Sequence, residues 1–96
     1  MQSEVHVRSR RKYEVIDITE RVRALVGDAS VEEGICSVYV THATAAVLIN
    51  ENADPNVGVD ILDALDPLIP EGGWRHDRID DDAAAHIKAA ILFRSA

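Results

Sequence analysis

Segments with alternating or continuous apolar residues occupy most of the first half of the chain. In SEVHVRS, Val5 and Val7 fall on one face, as in a half-buried β-strand. KYEVIDI is a second strand candidate, and GICSVYVTH and AAVLINE, which are rich in β-branched or other apolar residues, are two more. The pattern therefore predicts four strands within residues 3–51.

Three other segments space their apolar residues as an α-helix does. DITERVRALVGD carries an apolar stripe at helical spacing, with Asp17 as a candidate cap and Gly27 as a candidate end. A second helix is predicted after Asp54 and Pro55, and it ends near Pro67. After the loop IPEGGWRHDR, the alanine-rich DDDAAAHIKAAILF predicts a third helix.

This order of elements predicts the fold class. Strands and helices in the order β-β-α-β-β-α-loop-α are typical of an α+β fold, a mostly antiparallel sheet with packed helices. With 96 residues, the chain is expected to form one domain, 1–96. Cys36 alternates with valines on a predicted strand, so it is interpreted as a small core residue.

Charge narrows the classes of partner. The net charge is −7, with the acidic residues mainly in the second half, which disfavours nucleic acid as a partner. The one basic cluster, RSRRK, is either a solvated strand end or a site for a substrate phosphate. A single cysteine, no long apolar span and no signal peptide indicate a cytoplasmic protein without a membrane partner.

Three histidines are candidate metal ligands. His42 ends an apolar strand face, His76 lies in the Gly-rich loop, and His86 lies among alanines on the third helix. If the three imidazoles converge, they form an open zinc-type site with a fourth position for water or substrate. No HxH or HExxH pattern is present, so each histidine has the alternative of a hydrogen-bonded structural role.

Polar residues around the second apolar run form another candidate site at one edge of the predicted sheet. In such a site a carboxylate orients imidazoles, binds substrate or acts as a general base. The simpler alternative is that these residues mark a strand exit and a solvated helix surface. The candidate set is His42, Thr44, Asn50, Glu51 and Asp60.

Longer stretches of the sequence resemble a known family. THATAAVLINENADPNVGVDILDALDPLIP, WRHD and AAAHIKAAIL closely resemble the YjbQ family, also called the secondary thiamine-phosphate synthase family. The pattern combines a histidine turn, an apolar strand ending in Asn-Glu, an acidic helix, a histidine loop and an Ala-His helix. The residues that carry it are His42, Thr44, Asn50, Glu51, Asp54, Asp60, His76 and His86.

The resemblance implies specific chemistry. It implies a homotrimer with sites near subunit contacts, and a metal or anion site at His42, His76 and His86, with zinc as the expected ion. It implies a thiamine-phosphate synthase activity that joins a pyrimidine methyl diphosphate to a thiazole phosphate. Glu51 and Asp60 are then the candidate acid/base residues, and Thr44 and Asn50 the candidate substrate-binding residues.

The chain also departs from the family pattern. Ala43 stands beside His42 where the family has threonine, so one hydroxyl is missing. Phe93 stands where the family has glycine, and the family's further C-terminal strands have no counterpart here. We therefore expect a domain without the C-terminal part of the family fold. The alternatives to an enzyme are a non-catalytic trimeric protein that binds phosphate, a small anion or a metal ion, and a truncated, inactive member of the family.

Overall fold

Helices supply the regular structure of this protein, and the computed structural model describes all of residues 1–96. The chain divides into two compact units, Met1–Cys36 and Ser37–Ala96. Helix α1 lies in the first unit. The elements are α1 (Thr19–Asp28), α2 (Asn56–Leu68), a 3₁₀ helix (Arg75–Arg78) and α3 (Ala83–Leu92). No helix here combines the length and the apolar character that a bilayer crossing requires.

The N-cap residues of the first two helices are Ile18 and Pro55, one position after the predicted caps Asp17 and Asp54, yet both aspartates bond to the helix starts. Asp17 Oδ1 accepts a hydrogen bond from the backbone N–H of Thr19 at 2.9 Å. Asp54 Oδ1 accepts one from the backbone N–H of Asn56, also at 2.9 Å. Each carboxylate satisfies one of the N–H groups that a helix leaves unpaired in its first turn. The local sequence therefore determines where these two helices begin.

The second helix continues one residue past the proline that was predicted to end it. Pro67 lies inside α2, which runs to Leu68. A proline lacks a backbone donor and its ring crowds the carbonyl four residues earlier, but the N–H of Ile69 still bonds to the carbonyl of Leu65 at 2.8 Å. The last turn of α2 thus keeps a helical hydrogen bond that spans Pro67.

The predicted mostly antiparallel sheet is wrong for this structure. The only β pairing is a single antiparallel bridge between Tyr39 and Ser95. Around it, the N–H of Val38 bonds to Ala96 O at 2.8 Å, and that of Val40 to Arg94 O at 2.7 Å. The segments predicted as the first two strands form no strand.

The physical reason is that a strand needs a partner and not only a β-prone composition. Alternating or β-branched residues favour an extended backbone, but a sheet forms only where another segment completes the hydrogen-bond ladder. In Ser37–Ala96 that partner is the short segment after α3, so pairing stops at one bridge. Many apolar side chains stay exposed as a result; Ile49, for example, is 86% exposed.

Alanines of α3 form most of the buried core in the second unit. Ala83, Ala84 and Ala89 are buried together with Ile69, which follows α2. Lys88 is buried as well, and its Nζ lies 3.1 Å from Asp66 Oδ1, an ion pair that ties α3 to α2. In the first unit Cys36 is exposed, so the prediction that it is a core residue is wrong.

Candidate metal centre

Two of the predicted histidines lie side by side. His76 is on the 3₁₀ helix and His86 is on the first turns of α3, and these two elements are in contact. Their ring centroids are 4.9 Å apart and the ring planes are nearly perpendicular, at 89°. Both rings are half-buried, so their nitrogens remain accessible to a small ligand.

Asp82 stands between the two imidazoles. His76 Nε2 lies 3.1 Å from Asp82 Oδ1, and His86 Nε2 lies 3.5 Å from Asp82 Oδ2. The three donor atoms all lie within 4.8 Å of one another. Small side-chain rotations would bring such a set to the distances of about 2.0–2.2 Å at which zinc binds nitrogen and oxygen.

The carboxylate of Asp82 has an oxygen without a hydrogen bond. Asp82 Oδ1 is buried and no group donates to it, because its short distance to His76 lacks hydrogen-bond geometry. A buried carboxylate oxygen without a donor is unusual in folded proteins and requires an explanation. A cation bound between this oxygen and the two ring nitrogens would satisfy it.

Asp77 explains why the side chain of Asp82 is available to face the two imidazoles. Asp82 is the N-cap residue of α3, yet its side chain makes no capping hydrogen bond. Instead, Asp77 Oδ1 accepts the N–H of Ala83 at 3.3 Å, while its Oδ2 accepts the N–H of Trp74 at 3.1 Å. Asp77 thus holds the backbone on both sides of His76, and Asp82 turns towards the imidazoles.

Two glycines shape the loop that delivers His76. Gly72 and Gly73 have φ values of +82° and +79°, a region that costs a side-chain-bearing residue energy but not glycine. The Trp74 ring follows them and donates its Nε1–H to the carbonyl of Pro70 at 2.7 Å. The loop is therefore closed on itself immediately before the 3₁₀ helix.

An open cleft of about 500 Å³ lies against the two histidines, and we call it the imidazole cleft. Trp74 and Ile87 give it apolar walls, and Arg75 contributes a positive charge. The remaining lining residues are Gly73, His76, Ala83 and His86. The cleft can accept a flat apolar group beside the candidate metal ligands.

The third predicted ligand, His42, is not part of this group of converging atoms. Its Nδ1 lies 3.2 Å from the backbone N of Thr44 and 2.8 Å from Thr44 Oγ1. In this structure Nδ1 of His42 is therefore engaged by Thr44 and does not belong to the group around Asp82.

The other predicted residues lie outside both the group and the imidazole cleft. Thr44 is half-buried and bonds to His42, while the Asn50 side chain accepts the N–H of Glu51 at 2.7 Å. Glu51 is exposed, and Asp60 is exposed on α2. None of these four residues lines the cleft beside His76 and His86.

Comparison with known proteins identifies the family. The model of the UPF0047 YjbQ-like family matches residues 3–96, nearly the whole chain. The chain belongs to the YjbQ-like UPF0047 family. The resemblance inferred from the histidine turn and the Ala-His helix is thereby confirmed. UPF0047 proteins are 36% identical over 90% of the chain in Methanocaldococcus jannaschii and 38% identical over 96% of it in Archaeoglobus fulgidus.

Solved structures of UPF0047-like proteins have a matching backbone. A hypothetical protein from Aeropyrum pernix K1 aligns with a TM-score of 0.88 at 35% identity, covering 94% of this chain and 67% of its own. A protein of unknown function from Sulfolobus solfataricus P2 gives the same TM-score and identity, covering 94% and 65%. The chain spans 62% of the M. jannaschii UPF0047 protein and 71% of that from A. fulgidus.

Sequence reasoning missed that Asp82 lies with His76 and His86 in this UPF0047 member. The aspartates before α3 were interpreted only as partners of the helix dipole. The available signal was spacing: Asp82 precedes His86 by four residues, which places both on one face of a helix start. That signal is weak by itself because acidic residues are common at helix N-termini.

Proposed function

We propose that the protein binds a divalent metal ion, zinc, through His76, Asp82 and His86, and that it holds a small phosphorylated molecule beside it. The buried Asp82 Oδ1, which lacks a donor, carries this proposal. One carboxylate and two imidazoles are a ligand set found in catalytic zinc sites, where a further position stays open to water or substrate.

The roles of the three side chains follow from their positions. His76 and His86 point their Nε2 atoms towards the Asp82 carboxylate, so nitrogen and oxygen donors converge without bonding strongly to one another. A bound metal ion would neutralise negative charge on a phosphate or diphosphate group. The imidazole cleft offers the Trp74 and Ile87 side chains to the apolar part of the same molecule.

Metal analysis tests this proposal. Protein purified without a chelator should contain about one zinc per chain, and Asp82→Asn should weaken zinc binding at least about tenfold, because it removes a charged ligand. Asp81→Asn is the matched control, since Asp81 is exposed and outside the group. Failure of the unmodified protein to bind zinc, or equal affinity of the two variants, would contradict the proposal.

The finer proposal is thiamine-phosphate synthesis. In this reaction a pyrimidine methyl diphosphate joins a thiazole phosphate and diphosphate leaves. Family membership and the aromatic wall of the imidazole cleft support it, with Glu51 and Asp60 as the proposed acid/base residues. Supplying both substrates with zinc should give thiamine phosphate and diphosphate with the unmodified protein, and much less product with Asp82→Asn.

A binding role without turnover is the second candidate. The exposure of Glu51 and Asp60, and their position outside the imidazole cleft, favour it. It predicts that the phosphorylated substrates raise the melting temperature without forming product, because any ligand of the folded state stabilises it. Product formation at a rate that depends on Asp82 would exclude this candidate.

The proposed assembly is a homotrimer. Large apolar side chains on the second unit, including Ile49 at 86%, Leu68 at 73% and Ile91 at 55% exposure, favour association. Apolar side chains exposed in such number commonly mark surfaces for protein contact. Size-exclusion chromatography with light scattering should give the mass of three chains, and a monomer at micromolar concentration would contradict the proposal.

A further inference from the structure

A second cleft also has His86 in its lining and has no acidic residue in its wall. It has a volume of about 260 Å³, and we call it the Arg94 cleft. Its lining residues are Ala43, His86, Ala89, Ala90 and Arg94. In a chain of net charge −7, a cleft with one guanidinium, one imidazole and no carboxylate is a local exception. Its chemistry suits an anion.

The Arg94 side chain is held in place by an aromatic ring. Its Cζ lies over the ring of Tyr39, 5.8 Å from the ring centroid, within the range of a cation–π interaction. No carboxylate of the chain forms an ion pair with Arg94 in this structure. A guanidinium without a carboxylate partner can donate to an anion, and its paired N–H groups match two oxygens of a phosphate.

The backbone that carries Arg94 is strained at the preceding residue. Phe93 follows α3 with φ +68° and ψ 157°, a region that is essentially restricted to glycine. Hydrogen bonds hold it there: the N–H of Val47 bonds to Phe93 O at 3.1 Å, and that of Val40 to Arg94 O at 2.7 Å. This turn sends Arg94 towards Tyr39 and the cleft, and strained residues of this kind concentrate at functional sites.

We infer that the Arg94 cleft is an anion subsite that binds a phosphate monoester, with Arg94 as its donor residue. His86 lines both this cleft and the imidazole cleft, so the two clefts meet at one imidazole. A molecule with a phosphate in the Arg94 cleft would therefore lie beside His86, one of the candidate metal ligands. The inference rests on the proposed function for assigning this phosphate to the substrate, but the anion subsite itself needs no metal.

Binding of inorganic phosphate by the full chain tests the inference, with calorimetry and melting temperature as readouts and sodium chloride of equal ionic strength as the salt control. Phosphate, but not chloride, should bind and stabilise the protein. Arg94→Gln should reduce the affinity about 10- to 100-fold, because hydrogen bonds from a charged donor are lost. The phosphate affinity of Arg94→Lys should lie between those of the unmodified protein and Arg94→Gln, since lysine keeps the charge and loses the paired N–H groups.

Arg78→Gln is the matched control, because Arg78 is exposed on the 3₁₀ helix and lines neither cleft. It removes the same charge and should leave phosphate affinity within about twofold of the starting value. A cooperative melting transition of Arg94→Gln without phosphate, at a temperature close to that of the unmodified protein, shows that this variant is folded. Equal phosphate affinity in the Gln variants at positions 94 and 78, or no phosphate binding by the unmodified protein, would overturn the inference.

The two proposals fail in different ways. If zinc binds and phosphate does not, the Arg94 subsite is wrong and the metal centre stands. If phosphate binds through Arg94 and zinc does not, the subsite stands and the metal centre is wrong. His76→Ala separates them further, because it should abolish zinc binding while phosphate still binds at the Arg94 cleft.

Discussion

Asp77 caps the backbone N–H of Ala83 at 3.3 Å, and this contact leaves the true N-cap residue of α3 free to face two histidines. Asp77 thus makes the capping hydrogen bond that the carboxylate of Asp82 would otherwise make. The second oxygen of Asp77 holds Trp74 at 3.1 Å, which fixes the start of the 3₁₀ helix. The candidate metal centre depends on Asp77 capping α3 while Asp82 faces the two histidines.

Asp77→Asn should therefore weaken both stability and metal binding. The amide places an NH₂ group against one of the two backbone donors, so unfolding free energy should fall by about 1–2 kcal/mol. Zinc affinity should fall about tenfold, as is typical when a residue that orients ligands is changed. Urea titration and competition with a chelator measure the two effects. Asp80→Asn, an exposed neighbour, is the control and should change neither quantity.

Metal binding should be weaker in acid. Zinc binds the neutral imidazole, and a proton competes for the same Nε2 lone pair. Affinity measured at about pH 5 should therefore be lower than affinity measured at about pH 8. A chelator competition series at constant ionic strength measures this trend. Affinity that stays constant over that range would show that His76 and His86 are not the ligands.

Phe93→Gly should stabilise the protein. Glycine relieves the strain of the positive φ, and Phe93 is 70% exposed, so little apolar burial is lost. The expected gain in unfolding free energy is about 1–2 kcal/mol, after the greater backbone entropy of glycine is subtracted. Denaturant midpoints of Phe93→Gly and Phe93→Ala provide the comparison, because alanine keeps the strain. A glycine variant no more stable than the alanine variant would count against strain at this residue.

Asp66→Ala should destabilise the packing of α2 against α3. Lys88 is buried, and the substitution removes the carboxylate 3.1 Å from its ammonium. Because the Asp66 side chain is 66% exposed and water can partly replace it, the loss should be about 1–2 kcal/mol and not the larger value of a fully buried pair. Chemical denaturation measures it, with Asp63→Ala on the same helix as the control. A loss of equal size at Asp63 would assign the effect to helix charge instead.

Local signals in the sequence were sufficient for the helices and for the family. The apolar spacing of α1 and α2, and the aspartates before them, predict elements whose first turns the structure confirms. These features are encoded within a few residues of one another, so no knowledge of tertiary contacts is needed. The residues of the histidine turn and the Ala-His helix likewise identified the UPF0047 family.

Tertiary structure decided what depends on distant partners. The β-prone segments lack ladder partners, so the predicted sheet is replaced by one bridge between Tyr39 and Ser95. The sequence predicted His76 and His86 as metal ligands with His42 as the third. Only the fold showed that Asp82, and not His42, lies with them. The sequence by itself determined helix positions and family membership, because caps and spacing act locally. The set of converging ligands and the position of Arg94 required the folded chain, because they depend on where a loop and a strained turn bring residues far apart in sequence.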